Sequence, residues 1–199
     1  MVLSKDAQNL MKVLVMPISE PILHPILVIV GGLPGTGKSF FSQRVTERIP
    51  MVILESDFLR KTLVQAPVYT AEESTRLFLA IHETIDALLA HSLPVLLDAT
   101  SLAKANREPL YQIAARHGAK VVMVRMVAPP EIVYQRLEAR ANRKRRQGHS
   151  DADWGIYERM LPFQEPLKLD HLVVDTSREI GPPVEKVVLE INKWIKQVQ

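Results

Sequence analysis

The chain has 199 residues, 47% hydrophobic and 24% charged, with a net charge of +3 at neutral pH and no cysteine. That length suits one domain with a core that needs no covalent staple, and the composition excludes general disorder, collagen and coiled coil. The lack of cysteine excludes disulfide scaffolds, cysteine-held zinc, iron–sulfur clusters and thiol catalysis, while the mild basic excess suits a phosphorylated partner without by itself implying nucleic acid.

Residues 1–25 read as an N-terminal extension, with a short helix over 4–12 followed by prolines at 17, 21 and 25. No stretch approaches the roughly 20 apolar residues of a membrane span. Lys5, Asp6, Lys12 and the prolines interrupt any secretory leader, so a cytoplasmic location is expected. From residue 26 onward, strands alternate with helices. Strand-length apolar runs fall at 26–30, 51–54, 95–97, 121–127 and 172–174. They are continuous rather than alternating, as strands covered on both faces should be. Helical spacing covers 38–48, 71–91, 103–117, 131–146 and 184–198. Thr70 and Glu73 form a capping box before the second of these, and Gly118 closes the third. Such alternation predicts an α/β domain of three layers around a parallel sheet, with ligands at the carboxyl ends of the strands.

The residues just past each strand therefore matter most. The first strand runs into Gly32, Leu33, Pro34, Gly35, Thr36, Gly37, Lys38, Ser39 and Phe40, which fit the phosphate-binding loop G-x-x-x-x-G-K-S. Its glycines let backbone amides face a phosphate, and the helix behind points its positive end at the same anion. Lys38 would reach the β- and γ-phosphates of ATP, and Ser39 would offer its hydroxyl to Mg²⁺. After the second strand, Asp57 and Arg60 lie one helical turn apart. Asp57 either deprotonates an acceptor hydroxyl or caps a helix. Arg60 either steadies the acceptor or is a solvated surface residue. After the third strand, Asp98 either orients Ser39 and a magnesium-bound water or begins a turn. Arg136 and Arg140 share a helix face after the fourth strand, where arginine can neutralise a transferring phosphoryl group. The basic run at 143–146 is either solvated or touches an anionic acceptor. A helix break at 147–149 and a new start at Ser150 and Asp153 mark a lid over about 141–165. Thr176, after the fifth strand, either nears the adenine or forms a plain turn. The six histidines have no metal-binding spacing, so the expected metal is Mg²⁺ carried by ATP. Trp154 and Trp194 read as packing residues, with contact to an acceptor base or ring as the alternative for Trp154 beside the lid.

Taken in order, GLPGTGKS, SDFLRK, VLLDAT, Asn106-Arg107, Ala128-Pro129, RLEAR and the Ser-Asp-Ala of 150–152 resemble the P-loop kinases grouped as ATP-binding predicted kinases. That group includes the kinase domain of phage-type polynucleotide kinase, with zeta toxin and chloramphenicol-phosphotransferase-like enzymes as more distant relatives. The likeness spans about 26–188. It implies a P-loop domain over 26–199 with a five-stranded sheet in the order 2-3-1-4-5. It also implies Asp57 as the base, Arg60 on an acceptor phosphate and Arg140 on the nucleotide with Arg136 in support. The implied activity is ATP-dependent phosphorylation of a hydroxyl, either the 5′ end of a nucleic acid or a small molecule such as a sugar or antibiotic. A GTP-driven switch is disfavoured, because Asn192-Lys193 is followed by Trp194 and no D-x-x-G occurs. A motor ATPase is disfavoured because Ala99, not an acid, follows Asp98.

Overall fold

Six consecutive positions at the start of β1 (Ile26–Gly32) are buried, because helices cover both faces of the strand. Around β1, a computed structural model describes residues 2–16, 24–100, 103–143, 153–167 and 170–196. The other elements are α1 (Lys5–Val13), α2 (Lys38–Thr46), β2 (Val52–Glu55), α3 (Ser56–Leu63), α4 (Ala71–Ala90), β3 (Val95–Thr100), α5 (Lys104–Arg116), β4 (Lys120–Val127), α6 (Pro130–Arg143), α7 (Trp154–Met160), β5 (Leu172–Asp175) and α8 (Gly181–Lys196). The sheet has five strands in the order β2-β3-β1-β4-β5, all parallel, as the family likeness implies. Residues 144–152, with most of the basic run and Ser150, lie outside the described residues. Asp153 caps α7 by accepting the Ile156 amide at 2.9 Å.

Register gathers the strand ends. Val30 stands opposite Asp98 and Gly32 opposite Thr100, while Glu55 stands opposite Asp98. The ends of β1, β2 and β3 thus deliver the residues beyond them to one edge of the sheet. Two cores flank the sheet. One joins β1, β2 and β3 to α3, α4 and α5 through residues such as Leu54, Leu59, Ile81, Leu97 and Leu110. The other joins the opposite face to α2 and α8 through Phe41, Val45, Val187 and Ile191. Coverage of both faces does not extend to the edges. β2 alternates in burial, and Val173 of β5 is half exposed, because an edge strand lacks neighbours on one side.

Within the segment expected as an extension, α1 packs on α3 and α4. Its Ala7 and Leu10 are fully buried, and Leu10 belongs to the core that contains β1 and β3. Ser4 caps α1 through the Ala7 amide. Arg76 of α4 grips Asp6 with two hydrogen bonds of 2.6 and 2.7 Å. That helix therefore braces α3 and α4.

Candidate active site

The loop between β1 and α2 needs its glycines for conformation and for space. Gly35 and Gly37 have φ of +79° and +86°, the left-handed region that side chains disfavour. A Cβ on Gly35 would stand 2.8 Å from Val133 Cγ1 of α6. The loop is tied internally as well: Thr36 Oγ1 donates to the Leu33 carbonyl at 2.7 Å, and Lys38 Nζ donates to the same carbonyl at 3.2 Å. Ser39 Oγ donates to Asp98 Oδ2 at 2.7 Å, joining the loop to β3. Phe40 points outward under the Arg44 guanidinium, so only its backbone can serve an anion.

Lys38 and Asp98 are both buried. Burial lowers the Lys38 pKa against the pull of Asp98 and Asp57, and burial raises that of Asp98 against the pull of Lys38 and Ser39. Both groups also feel the charges of Asp57 and Arg140. The structure thus brings Lys38, Asp98, Asp57 and Arg140, drawn from four separate stretches of sequence, into one electrostatic cluster. Asp98 does not begin a turn; it lies within β3 and holds Ser39.

Arg136 and Thr176, expected beside the nucleotide, are joined to each other. Arg136 Nη1 donates to Thr176 Oγ1 at 2.7 Å and to the Gly35 carbonyl at 3.3 Å, and Nη2 donates to the Thr176 carbonyl at 2.7 Å. Thr176 Oγ1 donates in turn to the Thr36 carbonyl at 3.0 Å. These bonds tie α6 and the turn after β5 to the back of the phosphate-binding loop.

α3 presents Asp57 and Arg60. Asp57 does not cap α3, since the cap position is Glu55 and no side chain bonds there. Nor is Arg60 a solvated surface residue. Its side chain is 9% exposed and forms an ion pair of 2.7 Å with Glu73 Oε1. Arg60 Nη2 also donates to Ser74 Oγ, and the Tyr69 ring lies 4.8 Å away. Glu73 departs from the expected capping box. Its amide does bond Thr70 Oγ1, but its carboxylate turns to Arg60 and to the amides of Val68 and Tyr69. Burial pushes the Glu73 carboxyl up, yet these donors outweigh burial and hold it below its ordinary 4.5. The stability it contributes is therefore full at neutral pH and lost as pH falls through the depressed value. Glu73→Gln should cost about 3 kcal/mol at neutral pH by leaving a buried guanidinium without its countercharge. That corresponds to roughly 6–12 °C in Tm. The gap from the native chain should close toward acid, where the native carboxylate is also neutralised. Thermal denaturation across pH checks this, and a gap that persists in acid would contradict it.

Asp57 and Arg60 line a cavity of about 320 Å³. Pro34 of the loop forms one wall, and Thr100 and Asn106 add polar groups. Ser56 and Ser74 are polar as well, Val68, Tyr69 and Phe78 contribute apolar surface, and α7 lines the cavity with Ile156, Arg159 and Met160. α7 is seated on the loop itself, because Tyr157 packs with Leu33, Val133 and Leu137. Trp154, read as a packing residue, stacks on Tyr157 with ring centroids 4.8 Å apart. Sequence reasoning missed the roles of Glu73, Tyr69 and Arg159. Glu73 carried a local capping signal that masked its longer-range partner, and the other two carried no signal.

No helix among the described residues is long and apolar enough to cross a membrane. Among solved structures, the chain is similar to a sugar kinase from Janibacter sp. at 19% identity, with 84% of this chain and 95% of that chain covered and a TM-score of 0.63. It is similar to the APS kinase CysC of Mycobacterium tuberculosis, in complex with AMPPNP and APS, at 22% identity, with 84% and 98% covered and a TM-score of 0.61. A chain of the Pnkp1/Rnl/Hen1 RNA repair complex matches at 19% identity with a TM-score of 0.57, covering 73% of this chain and 45% of that one. At such identities the likeness concerns the fold. The family model described as AAA domain, AAA_33, matches residues 27–167. A parallel sheet in the order 2-3-1-4-5, a glycine loop tied to β3 through Ser39 and Asp98, and a model match over most of the chain agree: the protein belongs to the AAA_33 family and is built on the P-loop kinase fold.

Proposed function

We propose that the chain is an ATP-dependent kinase that phosphorylates a hydroxyl of a small molecule. The observation that carries this reading is the small-molecule-sized cavity beside Pro34, with Asp57 on its wall and in the electrostatic reach of Lys38. Amides of Gly35 to Ser39 and the Lys38 ammonium hold the triphosphate, the positive end of α2 adding to their pull. Ser39 and Asp98 offer hard oxygens, the donor chemistry that suits magnesium, and would hold that ion on the nucleotide. Magnesium supplies charge neutralisation on the phosphate oxygens.

Asp57 orients the acceptor and takes the hydroxyl proton. The acceptor oxygen bonds to the γ-phosphorus as the bond from that phosphorus to the bridging oxygen breaks, and ADP leaves with the electron pair. Lys38 and Arg140 take up charge on the transferring group. Arg136 and Thr176 hold the loop in shape through its carbonyls, rather than touching the phosphates. α7, seated on Leu33, excludes the water that would otherwise compete as acceptor.

An oligonucleotide 5′ end is the second acceptor class, favoured by the sequence likeness to polynucleotide kinase. Single strands are usually bound in extended open grooves, whereas this cavity of about 320 Å³ has the size of a small-molecule site. Incubation with γ-labelled ATP and two panels, small alcohols and 5′-hydroxyl oligonucleotides, tests the reading. Label should appear on a small alcohol. Label confined to oligonucleotides, or ATP hydrolysis unaffected by any acceptor, would refute the small-molecule assignment.

A further inference from the structure

We infer that the cavity takes a compact alcohol with one anionic group, a carboxylate or phosphate, held by Arg159. This rests on the kinase reading above and adds the chemical class of the acceptor.

The charges around the cavity lead to that class. Asp57 is reserved for the acceptor hydroxyl. Arg60 brings a positive charge, but Glu73 cancels it at 2.7 Å within the protein, so Arg60 adds shape and a donor edge rather than net charge. Arg159 is exposed, lines the cavity, and has no ion pair among the described residues. The nearby acid on α7, Asp153, is occupied as the helix cap by the Ile156 amide. Ile156, Arg159 and Met160 are three and four residues apart, so one face of α7 presents a cation between two apolar groups. An anion entering the cavity would be repelled by Asp57 and drawn to Arg159, which orients the acceptor with its hydroxyl toward the base.

The lining mixes the apolar Val68, Phe78, Ile156 and Met160 with the polar Ser56, Ser74, Thr100 and Asn106, so it can meet further hydroxyls as well as a carbon skeleton. A volume of about 320 Å³ suits a single small molecule.

The test uses the full chain loaded with AMPPNP, whose binding is measured first. Calorimetric titration then compares matched probes: hydroxymethylbenzoate, hydroxymethylbenzyl phosphate, neutral hydroxymethylbenzamide, glucose and a 5′-hydroxyl oligonucleotide. At least one anionic probe should bind about tenfold or more tightly than the neutral amide or glucose. Arg159→Gln should bring the anion-to-amide ratio to about one, and Arg159→Lys should restore part of it. A merely structural arginine would weaken all probes together, and that result would overturn the inference. So would tighter binding of glucose or the oligonucleotide, equal binding of acid and amide by the native chain, or no binding of either anion at millimolar concentration. Failure here with labelled phosphate still passing from ATP to another small alcohol would leave the kinase reading intact. Loss of both would remove that reading too.

Discussion

Lys38→Met is expected to abolish nucleotide-dependent chemistry while leaving the fold standing. Phosphoryl transfer should fall by roughly 10³-fold or more, the scale set by removing a preorganised charge from a developing anion. Titration with AMPPNP should show lost or greatly weakened binding. The reason lies in where the ammonium sits. Lys38 is buried, and its Nζ is bonded to the Leu33 carbonyl at 3.2 Å, so it is held over the loop before any ligand arrives. No solvated residue can replace a cation already desolvated at that place. Methionine fills similar volume without charge, and burial already disfavours the charged lysine, so Tm should move by only a few degrees. Normal turnover in this variant would remove the loop from the mechanism. Collapse of the fold would show instead that Asp98 depends on Lys38 for its burial.

Asp57→Asn separates binding from transfer. The variant should bind AMPPNP within about threefold of the native chain yet lose roughly 10²–10⁴-fold in transfer, the range expected for removing a positioned general base. Asparagine keeps the shape and can still meet a hydroxyl, but it cannot accept the proton. Asp57 does not cap α3, so folding should tolerate the exchange. The informative comparison is therefore between two measurements on one variant. If transfer persists, Asp57 is not the base. If nucleotide binding is lost as well, Asp57 acts chiefly by sustaining the charge of Lys38, which feels it directly.

Both variants concern residues that could be read from the chain alone, for one physical reason. A phosphate-binding loop is a local object. Its glycines, lysine and serine follow one another at 32–39, and backbone conformation dictates which residue types fit. The positive φ of Gly35 and Gly37 meets that requirement. The strands were equally legible where both faces are covered, as in β1 and β3. The edge strands were read as closely, from the runs at 51–54 for β2 and 172–174 for β5, although the expected cover on both faces is missing there: β2 alternates in burial and β5 leaves Val173 half exposed.

Residues with partners far along the chain behaved differently. The sequence placed Thr70 and Glu73 in a local capping box, and the Thr70 half is present. The Glu73 carboxylate goes instead to Arg60, thirteen residues earlier, because a buried guanidinium needs a countercharge more than a helix end needs a second cap. Arg136 has helical spacing with Arg140 but spends its donors on Thr176, forty residues away. Spacing on a helix tells which residues share a face, and only packing against other elements tells what that face meets.

The order of chemical groups along the chain, together with covalent and backbone constraints, was enough to specify a P-loop, the strands that feed it, and the acid and arginine candidates around it. Tertiary structure decided which of those charges remain available. Folding neutralises Arg60 with Glu73, uses Arg136 to brace the loop, and brings α7 across the cavity so that Arg159 is the cation left facing it among the described lining residues. Charge availability depends on neighbours brought together by the fold, so no reading of local pattern can supply it.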